Sequence, residues 1–188
     1  MTWTTSATVL WRRLDCPGHD ACRLETDGSA WRLDGAAVFR DDDGRPARLT
    51  YRVEADAAWR TREGQVRGWL GAQAVDLDIA RAADGTWTLN RAPVPGLEAL
   101  VDLDLGFTPA TNLLPLRRLA LADGETAEAP AAWLDVAAGT LTVLRQRYTR
   151  RSATSYWYES FGVGYAGVLE VEPTGFIRRY PDLWEIDA

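Results

Sequence analysis

Lysine is absent from this chain, and histidine occurs once, at His19. All 21 basic residues are therefore arginine. Planar guanidinium groups suit the recognition of carboxylates and phosphates, but the bias extends to turn segments and follows equally from a GC-rich coding sequence. The lone histidine means that any Ser–His–Asp or Cys–His machinery must pass through His19. The two cysteines are too few for a disulfide scaffold. A net charge of −6 speaks against a dedicated nucleic-acid binder, which needs a basic face for phosphates. No apolar run is long enough for a transmembrane segment. The first residues, Met1 to Arg13, show neither a basic leader nor an apolar core, so a cytoplasmic location is expected.

Period-two alternation is the strongest signal present. Val75-Asp-Leu-Asp-Ile79 and Val101-Asp-Leu-Asp-Leu105 each place three apolar side chains on one face and two aspartates on the other. Tyr51–Asp56, Trp31–Leu33 and Trp87–Leu89 repeat the pattern, which is that of antiparallel strands with one buried face. Turn dipeptides at Asp27-Gly28, Asp34-Gly35, Asp43-Gly44, Asp84-Gly85, Asp123-Gly124, Ala138-Gly139 and Thr174-Gly175 punctuate these runs. Roughly eleven strands are expected, too many for a small flat sheet, so the sheet should curl into a barrel, half-barrel or sandwich. Helical periodicity is confined to Pro93–Leu100 and a turn near Thr111–Pro115, and no linker divides residues 1–188. Nine tryptophans suit a wide inner surface or a lined cavity.

Few motifs suggest chemistry. Cys16-Pro-Gly-His19-Asp-Ala-Cys22 offers three metal-ligand types without a fourth, and reads as a turn between strands with no metal expected. Whether the two cysteines pair is left open. Gly162-Val-Gly164-Tyr-Ala-Gly167 matches the dinucleotide fingerprint, yet the next residues read as strand and stop at Pro173. No cofactor is expected there. Asp102 and Asp104, about 6.6 Å apart on one strand face, could serve as general acid and base at a sugar bond. Asp76 and Asp78 share the spacing, and a solvated face accounts for both pairs. Arg145–Arg151 is the densest basic run and could meet an anionic head group, with Tyr148 nearby. In Leu116–Leu121, strand alternation would carry Arg117 inward beside Leu119 and Leu121, where a guanidinium needs a partner.

Together these segments resemble the bacterial family of putative glycolipid-binding domains. Asp102-Leu-Asp-Leu-Gly-Phe-Thr-Pro-Ala-Thr-Asn-Leu-Leu-Pro-Leu-Arg-Arg-Leu119 carries the most specific likeness. Tyr51–Trp59 with Thr61-Arg62, Gln146–Tyr148 and Gly175–Pro181 resemble further blocks, and the likeness runs from about Trp11 to Trp184. The resemblance implies an all-β fold, a curved and half-open antiparallel sheet with short helical turns in its concave face. Bacterial carriers of lipoproteins and lipidated glycans share that shape, and no catalytic residues are implied.

The resulting expectation is a non-catalytic binding protein for a glycolipid or other amphipathic molecule, held in the concave face. Tyr51, Trp59, Asp102, Asp104, Asn112, Arg117, Arg118 and Tyr148 are the candidate ligand-binding residues. The alternatives are an enzyme using Asp102 and Asp104, or a protein-interaction module. The Asp102–Leu119 block is expected to act chiefly as a clasp, with Arg117 or Arg118 paired to a carboxylate.

Overall fold

The computed structural model describes residues 2–187. Eight strands follow one another as an antiparallel meander: β1 (Thr4–Arg13), β2 (Gly18–Thr26), β3 (Ala30–Arg40), β4 (Pro46–Asp56), β5 (Thr61–Leu70), β6 (Gln73–Arg81), β7 (Trp87–Leu89) and β8 (Ala92–Val94). After a central segment the chain returns through β13 (Gln146–Ser152), β14 (Ser155–Ser160), β15 (Tyr165–Val171), β16 (Ile177–Tyr180) and β17 (Trp184–Ile186). β17 pairs with β1 in the register Trp11↔Ile186 and Arg13↔Trp184, which joins the two runs into one sheet of 14 strands. The short β10 (Thr126–Glu128) closes one edge against β13, and β8 forms the other, so the sheet stays open.

Alternation explains which face is buried. Ala47, Leu49, Tyr51, Val53 and Ala55 of β4, like Val75, Leu77 and Ile79 of β6, point to the core. Their neighbours face water and pair across strands: Arg52 with Asp34 at 2.9 Å, and Arg67 with Asp76 at 2.9 Å and Asp78 at 2.6 Å. Asp76 and Asp78 thus belong to a solvated ladder, worth at most about 1 kcal/mol per exposed pair.

The central segment fills the concave side. It holds a three-stranded sheet of β9 (Asp102–Asp104), β11 (Ala131–Asp135) and β12 (Thr140–Leu144), in which β9 and β11 run parallel. It also holds a 3-10 turn (Ala110–Asn112) leading into the helix α1 (Leu113–Leu119). Leu103, Leu105, Leu113, Leu114, Ala132 and Leu134 pack into the same core as the inner faces of β1–β7. The concavity is therefore largely occupied by the chain's own residues, and open space remains only as clefts at its margins.

Several expectations change here. Among the described residues, seventeen strands exceed the roughly eleven expected, because three-residue strands such as β8 and β10 are too short to show a period. Asp34-Gly35 lies inside β3 rather than at a turn. A Cβ at Gly35 would sit 2.3 Å from Cζ of Tyr51, so this glycine admits an aromatic ring, not a bend. Pro93–Leu100 contains the end of β8 and turns, not a helix. The strand expected to carry Arg117 inward is the helix α1, on which Arg117 is exposed. Pro115 does not stop that helix, because a first-turn residue has no intrahelical use for its N–H. α1 ends at Ala120, whose φ of 46° is left-handed. The Gly162–Gly167 run forms the β14–β15 turn and the start of β15, with no helix after it. His19 points out of β2 toward Asp187 (3.3 Å) while Cys22 points into the core, so the Cys16–Cys22 side chains do not converge; both thiols are free.

Candidate functional site

The residues from Asp102 to Asn112 cross the concave side as a run of anchored polar groups. Asp102, 1% exposed, accepts a two-pronged fork from Arg118 of α1, with Nε at 3.1 Å and Nη2 at 2.5 Å. Burial raises its carboxyl pKa and the adjacent guanidinium opposes that rise. Two residues on, Asp104 accepts, among the described residues, only from the Gly106 N–H, at 2.7 Å. Gly106 has a φ of 70°, and a Cβ there would lie 2.6 Å from Nε1 of Trp133. Glycine is thus required where the backbone both turns and meets the indole.

Further along, Thr108 and Tyr51 both donate to the buried Asp20, Tyr51 Oη at 3.0 and 3.1 Å. Desolvation pushes the Asp20 carboxyl up to about 6 against those two hydrogen bonds. Asn112 Nδ2 donates to Tyr148 Oη at 2.8 Å, and Tyr158 Oη donates to Gln146 Oε1 at 2.8 Å. Burial raises the pKa of both tyrosines. This network fixes the inner wall without leaving its phenols free to titrate near neutrality.

Against that wall lies a cleft of two adjoining chambers that share lining residues. The inner chamber, about 160 Å³, is lined by Asp104, Thr108, Asn112, Tyr158, Ser160 and Tyr180 among others. No arginine or histidine lines it. Rings of Tyr158, Tyr165 and Tyr180 stand 4.9–6.0 Å apart by centroid. Ser160 is 2% exposed, and its Oγ is the one buried side-chain polar atom without a partner among the described residues. Gly106, Trp133, Val163, Tyr165 and Leu183 also line the outer chamber, about 630 Å³. There Phe39, Phe107 and Trp133 supply apolar surface beside a rim of Arg13, Arg45 and several aspartates.

Asp104 opens onto the inner chamber, so part of its surface is accessible, yet it sits deep enough for desolvation to dominate. Its carboxyl is pushed up to about 6 by burial, with the Gly106 N–H opposing and the Asp102 charge adding to the rise. Asp102 and Asp104 thus share a strand but not an environment.

A second groove, about 360 Å³, lies elsewhere along the sheet and is lined by Leu24, Trp31, Trp59, Arg117 and Thr174. Trp31 and Trp59 stack at 4.3 Å, and the Arg117 guanidinium lies 5.9 Å from the Trp59 ring. Arg117 donates to the Pro173 and Thr174 carbonyls, so its partners are backbone groups of the β15–β16 turn and not a carboxylate.

The eight residues singled out from the sequence thus fall in separate places. Asp104 and Asn112 line the inner chamber and Tyr148 stands behind Asn112. Tyr51 is bound to Asp20, and Asp102 is closed by Arg118. Trp59 and Arg117 border the other groove. Sequence reading missed Tyr158, Ser160, Tyr165, Tyr180, Trp133 and Asp20. The alternating Tyr156-Trp-Tyr158 run was visible in principle as a strand with one aromatic face. Nothing local marks Ser160 or Asp20.

Among the described residues, no helix is long and apolar enough to cross a membrane. No match was found among curated proteins. The chain is similar to a DUF1089 family protein from Pseudomonas aeruginosa, with 30% identity and a TM-score of 0.79 over 89% of this chain and 91% of that one. A family model described as "Putative glycolipid-binding" matches residues 8–185, from β1 to β17 and through the whole cleft. The chain belongs to that family.

Proposed function

We propose that the protein binds a glycolipid or related amphiphile without altering it, with the polar head in the inner chamber and the apolar part along the outer one. The observation that carries this reading is the gradient along the cleft. Hydroxyl, amide and carboxylate groups converge in its smaller chamber, and Phe39, Phe107, Trp133 and Val163 line its larger one. A sugar needs such a mixture of acceptors and ring faces. Each buried methylene of an acyl or alkyl chain adds about 0.8 kcal/mol, so a short apolar contact suffices for useful affinity. The concave face as a whole is not the proposed binding surface, because the central segment packs against it. The family description and the half-open sheet support the same class of ligand.

An acid–base pair is disfavoured by the Arg118 fork on Asp102, which occupies both carboxylate oxygens. Of that pair, only Asp104 remains available in the cleft.

The test is titration with a dodecyl glycoside below its micelle concentration, followed by tryptophan fluorescence. Saturable binding is expected, weakened about tenfold or more by Trp133→Ala, since truncating a buried aromatic anchor removes 1.4 kcal/mol or more. Saturable binding unaffected by Trp133→Ala but lost in Trp59→Ala would move the site to the Trp31–Trp59 groove and overturn the assignment.

A further inference from the structure

We infer that the head group recognised in the inner chamber carries a positively charged amine, as an amino sugar does, and not a phosphate or a wholly neutral polyol. The inference rests on the amphiphile reading above and names the chemistry of its polar end.

Three observations converge. Asp104 makes no ion pair among the described residues, and its only hydrogen bond comes from the Gly106 N–H. A carboxylate in such a site is destabilised unless a cation meets it, and no side chain lining the chamber can supply one. Second, Ser160 is 2% exposed at the wall and its Oγ has no partner among the described residues, and a hydroxyl can accept from an ammonium as readily as it donates to a sugar oxygen. Third, Tyr158, Tyr165 and Tyr180 surround the same small volume with aromatic surface, which attracts cations through the ring quadrupole.

The approach to the chamber has the same sign. Both arginines of the outer chamber are engaged, Arg13 with Asp15 and Arg45 with Asp41 and Asp43. Asp42 and Asp135 line that chamber with no cation paired to them among the described residues. An anionic head would cross acidic walls to reach a carboxylate, whereas a cationic one is drawn along its path. The chain's abundant arginine is directed elsewhere: Arg118 is closed on Asp102, and Arg117 on the backbone near Thr174.

The experiment compares three dodecyl probes on the whole chain by calorimetry at neutral pH, all below their micelle concentrations. These are a glucoside, the same glucoside with an amino group replacing one ring hydroxyl, and dodecyl phosphate. The amino glycoside should bind about tenfold or more tighter than the glucoside, the scale of one charge-assisted hydrogen bond, and the phosphate weakest of all. Asp104→Asn, which keeps an acceptor for the Gly106 N–H, should bring the ratio of amino to neutral affinity close to one. Equal binding of the neutral and amino probes, or tighter binding of the phosphate, overturns the inference while leaving the amphiphile reading intact. Failure of all three to bind removes both. The comparison on the unmodified protein is decisive by itself, so the inference stays open to refutation if Asp104→Asn folds poorly.

Discussion

At the residue scale, Asp102 and Asp104 show how neighbours set the role of one side chain. Arg118 neutralises Asp102, and removing that partner alone would strand a buried charge. Arg118→Met should lower stability by about 3–5 kcal/mol, read from a urea melt. Arg117→Met should change it by less than about 1 kcal/mol, because Arg117 is exposed and bonded to two carbonyls of a turn. Equal losses in the two variants would refute the clasp at Asp102. Asp104 has no such partner among the described residues. Its folded pKa of about 6 lies above the unfolded value near 3.9, so the fold holds the proton more tightly than the unfolded chain does. Its contribution is therefore fully present below about pH 4 and lost as pH rises through 6. Asp104→Asn should stabilise the protein at pH 7 by about 1–3 kcal/mol, with the gain vanishing near pH 4. A variant less stable than the parent at pH 7 would show that Asp104 is not desolvated in this way. Stability given up at a cleft residue is what a ligand-binding role would leave behind.

Among the elements, α1 is the most informative. Seven residues are too few for a helix to persist alone, so its existence depends on Leu113, Leu114 and Leu116 being buried in the concavity. Its end is strained, since Ala120 takes a left-handed conformation that favours glycine. Ala120→Gly should therefore stabilise the protein by about 0.5–1 kcal/mol in thermal unfolding, and a loss of stability would show that the Ala120 methyl contributes packing. The Pro115 position made this helix hard to read from sequence, because proline signals an interruption unless the helix is known to begin two residues earlier. β9 was misread in another way. Its alternation is real, but a strand inside a concavity has no wet face, so Asp102 and Leu103 are both buried.

For the molecule as a whole, the seam between β1 and β17 is decisive. Trp11 of β1 donates from its indole nitrogen to the Ile177 carbonyl at 2.6 Å and packs edge-on to Phe176, tying the N-terminal meander to the C-terminal strands. Because one sheet spans both runs and one central segment packs against it, unfolding should be a single cooperative transition. Far-UV circular dichroism and tryptophan fluorescence should then give the same urea midpoint. Separate midpoints would mean that the two runs of strands are independent units.

The amino-acid sequence determined the class of fold, because period-two alternation with Asp-Gly turns can bury one face only in an antiparallel sheet. It also determined the solvated face at Asp76 and Asp78, whose contacts with Arg67 lie between adjacent hairpin strands. Tertiary structure alone decided the cleft. Asp104 and Asn112 share one block, but Trp133, Ser160 and Tyr180 come from three other stretches of chain, and no local pattern relates the four. It alone decided that Arg118 and not Arg117 meets Asp102, since a helix places successive residues about 100° apart where a strand would reverse them. What remained unpaired after that choice, the carboxylate of Asp104 and the hydroxyl of Ser160, is set by long-range packing that no single segment encodes.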